Sequence, residues 1–581
     1  MMGFIAELQR RNVFRAATLY AAVAWLIVQV ATQVLPVFGA QNWILRLIVI
    51  AAVLGFPFVL VISWYYELTP EGLKRESQVP RTESIAHVTG KRLDRAIIAV
   101  LSVIVVLLLA NTFVSHRDAT EVSDDKSVAV LPLLDEGGGA DDQYFSDGLS
   151  EDLISMLSQV PGLKVIGRRS SFRFRGDTSD THGIAAKLGV ASLLEGSVRR
   201  QGRRVRIVAS LVSAQDGRVL WSQVYERELK DIFDVQSDIA HSVATALRIK
   251  LLGTASTPLQ PSNHDPAAHN ALLEGNFYFE RHTENDYQKA IDYYGDAIRR
   301  DPRYALAYAR RSVAEVYLAA SFLGSDRAMD VFSAARADAQ TALAIDPNLA
   351  EGHLALGWIK EYADIDMRGA EAEYRRALEL APGDPVASRR MGGILANQGR
   401  LDEAVRYTQA AIAHDPLDSG NFFNLALYQT ALGHFDQAKS ALAKAIELQP
   451  DSAGFHMQLA LIAILQGDHE AALEAARAEP AGPWQDYALT MSQQIGGDAA
   501  QADAALQKLI DAHKADMPFQ IADVYALRKE PDAMFNWLDR AWSSHDAGIT
   551  GLLYDPFLLV YKDDPRFAAF CRKAGLPAPQ P

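Results

Sequence analysis

The sequence has 581 residues. A single hydrophobic core rarely extends over a chain of this length, so two or more folded domains are predicted. Hydrophobic residues make up 49% of the chain, which argues against disorder as its main state. A formal net charge of -14 disfavours nonspecific nucleic-acid binding, so nucleic acid is not an expected partner. The single cysteine, Cys571, excludes an intrachain disulfide and a multi-cysteine metal site.

Three apolar runs near the amino terminus are long enough to cross a bilayer, for which about 20 residues are needed. They cover residues 16-37, 43-66 and 96-114. The first run is too long for the apolar part of a cleaved signal peptide and leads directly into the second. We therefore expect three transmembrane helices in a membrane module over residues 1-115, with the lipid bilayer as a partner.

The flanking charges predict how this module is oriented. Lysine and arginine are concentrated before the first run and between the second and third, whereas the 38-42 connection has none. Because cytoplasmic loops carry the excess of these residues, the amino terminus is predicted to be cytoplasmic. In a Gram-negative cell the residues after 115 would then be periplasmic, and the chain would be a multi-pass inner-membrane protein.

Two short motifs in this region resemble those of a known type of membrane module. Arg10-Arg11-Asn12-Val13-Phe14-Arg15 and the later Glu67-Leu68-Thr69-Pro70-Glu71-Gly72 are similar to those of an amino-terminal membrane module. That module occurs in some tetratricopeptide-repeat proteins of Gram-negative bacteria.

The central part of the chain has the pattern of a small α/β domain. We predict a polar tether over 116-126 and the domain over 127-252. Strand-like runs lie near 127-134, 163-167, 191-199, 204-213 and 218-226, and helical periodicity marks 146-159, 181-188 and 231-251. Ser146 or Asp147 would cap the first helix, and Gln201-Gly202 and Asp216-Gly217 would form hairpin turns. The order predicts strand-helix alternation first and antiparallel strands later.

Several runs in this domain carry a second resemblance. They are Ser127-Val128-Ala129-Val130-Leu131-Pro132, the stretch 144-153, the stretch 165-172, the stretch 194-199 and Leu220-Trp221-Ser222. In this order they resemble the TolB-like amino-terminal domain of bacterial membrane proteins that also carry tetratricopeptide repeats.

Charged residues of the α/β domain form a candidate site with two interpretations. Asp147 and Glu151 lie at the start of a predicted helix. Negative side chains are stabilised there by the helix dipole, which is one explanation for them. The alternative is that they form part of a catalytic or metal site. The basic run from Arg168 to Arg175 alternates with Phe172 and Phe174, so a strand would separate arginines from aromatics. That arginine face would be solvated or would bind an anion or an acidic partner. The full candidate set is Asp147, Glu151, Arg168, Arg169, Arg173, Arg175 and Glu195.

Motifs for known chemistry are missing from the sequence. We find no nucleophile elbow and no zincin motif, and Gly137-Gly138-Gly139 does not lead into a phosphate-binding Gly-Lys-Ser or Gly-Lys-Thr. We therefore predict no catalytic residue, no cofactor and no resident metal.

The carboxyl-terminal half repeats itself after a linker over 253-266. Prolines fall at 302, 347, 382, 416 and 450, and the last three intervals are 35, 34 and 34 residues. A period of 34 is typical of tetratricopeptide repeats. The residues inside each unit also resemble that family, as in Met391-Gly392, Leu395, Gly399, Ala404 and Ala411. The resemblance implies an all-α solenoid with a terminal cap over 267-581.

The family binds segments of other proteins in the concave groove formed by the first helix of each unit. Carrying its groove positions over gives Arg389, Gly393, Asn397, Phe423, Leu427, Thr430, Met457, Leu461 and Ile464. The carboxylate-clamping subtype has Lys and Asn at two such positions, which this chain lacks. We therefore expect an apolar protein segment, or the protein's own central domain, in the groove. The alternative is that these side chains only pack between units.

The leading functional hypothesis is a noncatalytic periplasmic scaffold or sensor-adaptor that binds protein or peptide segments. A rival hypothesis is an enzyme with an unrecognised site in the α/β domain. A third is signal relay, related to membrane nucleotide cyclases and transcription regulators but without their cytoplasmic domain, because only about fifteen residues precede the first span.

Overall fold

The structure is a computed structural model, and it divides into two compact units, 1-124 and 125-581. In the second unit it describes residues 126-137, 143-158, 160, 162-177, 180-202, 204-228, 232-246, 264-323, 325-544 and 546-577. In the first unit it describes residues 17, 18, 20, 21, 23, 24, 28, 51, 55-57, 66-69 and 72-75.

In the first unit, strands β1 (Tyr66–Thr69) and β2 (Gly72–Arg75) pair as an antiparallel hairpin. Most of the predicted spans at 16-37, 43-66 and 96-114 lies outside the described residues, as do the tether up to 125 and most of the 253-266 linker. No helix within the described residues has the length and apolar character needed to cross a membrane.

The α/β domain is built on one mixed sheet in the described part of the second unit. Its strands are β3 (Ser127–Val130), β4 (Leu134–Asp135), β5 (Lys164–Val165), β6 (Ser192–Gln201), β7 (Arg204–Ser213) and β8 (Val219–Glu228). The strand order is β5-β3-β6-β7-β8, with β4 also paired to β6. Pairs among β3, β4, β5 and β6 are parallel, and the β6-β7 and β7-β8 pairs are antiparallel. This arrangement agrees with the predicted order of alternation followed by hairpins.

The described part of the α/β domain contains four helices. They are α1 (Gln143–Ser158), α2 (Arg168–Phe172), α3 (Thr181–Leu188) and α4 (Ile232–Ala246). Helices α1 and α4 share one apolar core with β6 and β7, whereas α3 packs into a smaller core on the opposite face. The predicted turns are present at Gly202 and Gly217, whose φ angles of 60° and 67° suit a residue without a side chain.

Helix α1 begins earlier than its sequence predicts, so the expected caps are wrong. Ser146 and Asp147 lie inside the helix, which begins at Gln143. The extra turn is favourable because it places Phe145, which is only 2% exposed, in the apolar core of the sheet.

The rest of the described chain is a long helical array. Its helices are α5 (Pro266–Phe279), α6 (Glu284–Arg300), α7 (Ala305–Phe322), α8 (Ser325–Ile345), α9 (Ala350–Tyr362), α10 (Met367–Leu380), α11 (Pro385–Asn397), α12 (Leu401–His414), α13 (Ser419–Ala431), α14 (Phe435–Leu448), α15 (Phe455–Leu465), α16 (His469–Ala478), α17 (Pro483–Gln494), α18 (Ala499–His513), α19 (Pro518–Leu527) and α20 (Pro531–Ser543). Two short 3-10 helices, Ala547–Gly551 and Leu559–Tyr561, and α21 (Pro565–Lys573) follow.

Consecutive helices of the array form pairs, as a tetratricopeptide solenoid requires. Each predicted proline from Pro302 to Pro450 stands two residues beyond the end of a second helix, where it prevents continuation. In two of these pairs, a glycine on the first helix leaves space for a tyrosine ring on the second. A β-carbon at Gly275 would overlap the ring of Tyr294, and a β-carbon at Gly357 would overlap the ring of Tyr374. Both tyrosines are fully buried, so small and large residues interlock along the array.

The α/β domain and the array pack directly against each other within the second unit. Helix α1 lies against α5, and a β-carbon at Gly148 would collide with the side chain of Leu273. Leu273 is part of the apolar core beneath the sheet. The first repeat helix therefore completes the core of the α/β domain.

Candidate functional site

The basic run of the α/β domain contacts the loop that joins α12 to α13, which carries Pro416. The Gly167 amide donates to the His414 carbonyl at 2.6 Å, and the His414 ring Nδ1 lies 3.1 Å from the Val165 carbonyl oxygen. A β-carbon at Gly167 would lie 3.0 Å from the side chain of Pro385. We call the contact between residues 167-173 and 414-418 the latch.

Ser170 and Asp415 form the buried centre of the latch. The Ser170 amide donates to an Asp415 carboxylate oxygen at 2.8 Å, and the Ser170 hydroxyl donates to the same oxygen. The hydroxyl also accepts from the Leu417 amide at 2.8 Å. Burial raises the pKa of Asp415 to about 6, although the hydrogen bonds from Ser170 oppose this shift.

Two arginines close the latch at its rim. Arg169 lies 3.4 Å from the Asp418 carboxylate, and Arg173 donates to the carbonyl oxygens of Leu417 and Leu448, each at 2.8 Å. A guanidinium can use several donors at once, so Arg173 links α2 to two successive repeat units.

The prediction that this run is a strand is wrong, because Arg168–Phe172 is the helix α2. Its arginines and aromatics are therefore not sorted onto opposite sheet faces. Arg168 lies 4.4 Å from the centre of the Phe172 ring, and Arg175 lies 5.4 Å from it. Phe174 is buried in the smaller core. The helix forms where Ser170 and Ser171 are fully buried against the array.

Glu151 is the acid at the centre of the candidate set. It lies 3.4 Å from Arg168 and 3.4 Å from Arg310 of α7, and Arg168 also pairs with Glu280 at 2.8 Å. Burial raises the pKa of Glu151, and the charges of Arg310 and Arg168 oppose that shift. This charged cluster joins α1 and α2 to the first two repeat units.

The remaining candidate residues lie apart from this cluster. Asp147 pairs with Arg175 at 2.7 Å and accepts from the Gln143 amide at 2.9 Å. Glu195 lies on β6 opposite Ser210, on the sheet face away from α1, and burial raises its pKa. The structure therefore brings Glu151, Arg168, Arg169 and Arg173 to the array but not Glu195.

A cavity of about 400 Å³ lies between the α/β domain and the array. Residues of α1 and α2 line one side, and residues of α5, α7, α9, α10, α11 and α13 line the other. Both the Glu151 cluster and the latch border it. Small-molecule sites commonly occur in clefts of this size between structural units.

A second cavity of about 330 Å³ holds groups that the sequence analysis did not connect. His269, which is 3% exposed, lies 3.2 Å from the Asp152 carboxylate and 3.0 Å from the Tyr304 hydroxyl. Gln236 donates to Asp152 at 2.8 Å. These residues come from three helices and one loop, so no local motif could have identified them. Nowhere in the described residues do three or more His, Cys, Asp or Glu side chains form a group suited to a metal ion.

The residues predicted to form the groove occupy three different environments. Arg389 borders the first cavity. Phe423 and Leu427 are half-buried, and the Phe423 ring lies 5.1 Å from that of Phe455. Thr430 is buried and bonds to Gln458 at 3.2 Å.

Met457 and Leu461 are more deeply buried than Phe423 and Leu427. They are 7% and 9% exposed and belong to a core that also contains Leu552 and Phe557 from the end of the chain. Their burial agrees with the alternative that these side chains pack between units.

The carboxyl-terminal segment 547-561 also contacts helices that carry groove positions. When the Asn397 side-chain amide is oriented to satisfy its neighbours, its nitrogen donates to the carbonyl oxygens of Thr550 and Gly393, each at 3.2 Å. The ring of Tyr554 meets that of Tyr428 edge to face at 5.7 Å. The latch and this segment therefore contact α11 and α13 from two separate places.

Comparisons with known proteins agree with the repeat architecture. The sequence model of the tetratricopeptide repeat family matches residues 362–419 and 423–486. A curated relative, "Putative adenylate cyclase 3" of Rhizobium meliloti strain 1021, is 34% identical over 247 residues. The match covers 41% of this chain, and the chain spans only 42% of that relative's length.

Two solved structures resemble part of the chain with low TM-scores. The pilF protein of Pseudomonas aeruginosa is 21% identical with a TM-score of 0.30, covering 37% of this chain and 96% of that one. YrrB, described as a tetratricopeptide protein with an unusual peptide-binding site, is 24% identical with a TM-score of 0.23, covering 34% and 91%. With the helix pairs and the family match, the carboxyl-terminal half of the chain contains tetratricopeptide repeats.

Proposed function

We propose that this protein is an inner-membrane-anchored periplasmic adaptor that binds protein segments through its repeats. The α/β domain is a recognition or coupling element in this proposal. The observation that carries it is the latch, which holds α2 against the loop between α12 and α13 through buried hydrogen bonds. A change in the α/β domain would therefore be transmitted to the helices that form the groove.

The surface offered to a partner lies between the latch and the carboxyl-terminal segment. Phe423 and Leu427 stay half-buried there and keep part of their apolar surface available. Apolar side chains in a concave surface are typical anchors for a bound segment. This supports an apolar protein segment as the partner.

Ion pairing supports a noncatalytic role for the α/β domain. Glu151 is held between Arg168 and Arg310, and Asp147 is paired with Arg175. Carboxylates engaged in this way stabilise the junction between the domain and the array. A general acid or base would instead need access to a substrate proton.

Signal relay is the second candidate, and the similarity to the rhizobial relative favours it. The cyclase activity in that relative's name is not assigned to this chain. In this variant the adaptor would report its bound partner through the membrane module to a separate effector. Loss of signal output in a variant that still binds its partner would distinguish relay from binding alone.

In-cell photocrosslinking tests the adaptor. A photoreactive residue is placed at Leu427 in the full-length protein, and at the exposed Gln437 of α14 in a matched control. We expect one specific partner to be crosslinked from position 427 and not from position 437. Equal crosslinking from both positions would contradict a partner site at the groove.

Reporter fusions test the proposed location. A periplasm-active reporter fused after Pro581 should be active, and a reporter that works only in the cytoplasm should be inactive there. The reverse result would place the repeats in the cytoplasm and end the periplasmic part of the proposal.

A further inference from the structure

Most charged groups that border the cavity between the α/β domain and the array are neutralised within the protein. Glu151 pairs with Arg168 and Arg310, and Arg169 pairs with Asp418. Two further acids accept hydrogen bonds from backbone amides. Asp384 caps α11 by accepting from two amides, and Asp415 accepts from the Ser170 amide. These groups are committed to the structure of the junction.

Two bordering groups of opposite charge are exceptions. Among the described residues, no carboxylate lies within ion-pair distance of the Arg389 guanidinium, and no cation lies that close to the Glu351 carboxylate. Arg310 is the main cation acting on Glu351, but its own ion pair is with Glu151. Charged groups in a partly desolvated site are costly without a partner, so this cavity lacks one anion and one cation.

The pKa values of Arg389 and Glu351 shift in the direction expected for charged groups without a partner. Burial, followed by the neighbouring charge of Arg390, lowers the pKa of Arg389. Burial raises the pKa of Glu351. Each shift reflects a charged form that is insufficiently stabilised by its surroundings, and a ligand group of opposite charge would reverse it.

An unpartnered donor also borders the cavity. The Trp358 indole is 3% exposed, and its N–H finds no acceptor among the described residues. The Arg310 Nε is likewise buried without a hydrogen-bond partner. Buried donors without acceptors are uncommon in folded proteins, so an acceptor atom on a ligand would be stabilised beside either of them.

Part of the wall is apolar. Phe279, Val313, Tyr317, Leu354 and Val386 line the cavity beside the charged groups. A ligand with an aliphatic or aromatic side chain would bury it against these residues. The volume of about 400 Å³ excludes a folded partner and suits a small molecule.

We propose that this cavity binds a free α-amino acid with an apolar side chain. Arg389 binds its carboxylate and Glu351 binds its ammonium group. Its side chain packs against the apolar part of the wall. This ligand would contact α5, α7, α9 and α11, so its binding would stabilise the folded protein. The inference does not depend on the adaptor role, because it concerns a small molecule and a different surface from the one at Leu427.

Ligand analogues test the proposal on the unaltered full-length protein in detergent. The probes are L-leucine, L-methionine and L-phenylalanine at millimolar concentration, each compared with its N-acetyl and its amide derivative. We expect at least one free amino acid to raise the unfolding temperature, with both of its derivatives losing most of that effect. Absence of stabilisation by all three, or equal stabilisation by either derivative, would overturn the proposal.

Variants then locate the site. We expect Arg389→Gln and Glu351→Gln each to weaken binding about tenfold or more, because each removes a charge-assisted contact. Arg406→Gln, which removes an exposed arginine of α12, is the matched control and should leave affinity unchanged. If Arg389→Gln does not fold, Arg389→Lys keeps the charge but loses the bidentate geometry, and it should also weaken binding. Unchanged affinity in folded Glu351→Gln and Arg389 variants would refute the site.

Discussion

The Ser170 amide lies 2.8 Å from a carboxylate oxygen of Asp415, which is 245 residues further along the chain. The hydroxyl of the same serine donates to that oxygen and accepts from the Leu417 amide. One buried side chain thus connects the α/β domain to the backbone of a repeat loop. The geometry of the latch depends on it more than on the surrounding arginines, which are more exposed.

Replacing Ser170 with alanine should destabilise the folded protein by about 1-3 kcal/mol, because buried partners lose their hydrogen bonds. Ser171→Ala is the matched control, since Ser171 is equally buried but its hydroxyl has no hydrogen-bond partner among the described residues. Thermal unfolding of the full-length protein measures both. If the two variants are equally stable, the Ser170 hydroxyl contributes nothing to the latch.

The stability of the latch should depend on pH through Asp415. An undocked aspartate releases its proton near 3.8, whereas burial raises the pKa of Asp415 in the latch to about 6. The docked form therefore holds more protons between these values, so its stability falls as the pH rises from about 4 to about 6, and the loss is complete above that range.

Hydrogen exchange at residues 414-418 measures this dependence, with protection expected to decrease across that pH range. Asp415→Asn keeps an acceptor for the Ser170 amide but cannot titrate, so its protection should vary less with pH. An unchanged profile in this variant would assign the pH dependence to another group.

The regular parts of the fold could be predicted because each depends on local pattern. Alternating apolar residues in 204-213 identify the strand β7, and the spacing of prolines identifies the repeat units. Helix α3 covers residues 181-188 as expected, with Asp180 as its cap and Gly189 beyond its end. These signals lie within the segment that they describe.

The site could be predicted only in part because its contacts are distant in sequence. The arginine-phenylalanine alternation from Arg168 to Arg175 is compatible with a strand, and only the contact with Asp415 reveals why α2 is helical there. In the same way, Glu351 and His269 carry no local motif. Their environments depend on how the α/β domain packs on the array.

Met457 provides a test of where the groove ends. Because its side chain lies in a core with the carboxyl-terminal residues, Met457→Ala should cost about 2-5 kcal/mol of stability. The exposed Gln437→Ala should change stability by less than about 0.5 kcal/mol. Chemical unfolding of the full-length protein measures the free energy of unfolding of both variants. If Met457→Ala leaves it unchanged, Met457 belongs to the partner surface.

Tyr554 should limit access to the groove. Its ring meets Tyr428 of α13, so Tyr554→Ala should free part of that surface and increase partner crosslinking from a photoreactive residue at position 427. Tyr561→Ala is the matched control, because Tyr561 lies in the same segment but donates to the Ala526 carbonyl of α19 instead. Both changes should lower stability, by up to about 3 kcal/mol for a half-buried ring, so the comparison separates groove access from general loosening. Equal crosslinking in the two variants would mean that the carboxyl-terminal segment does not compete with a partner.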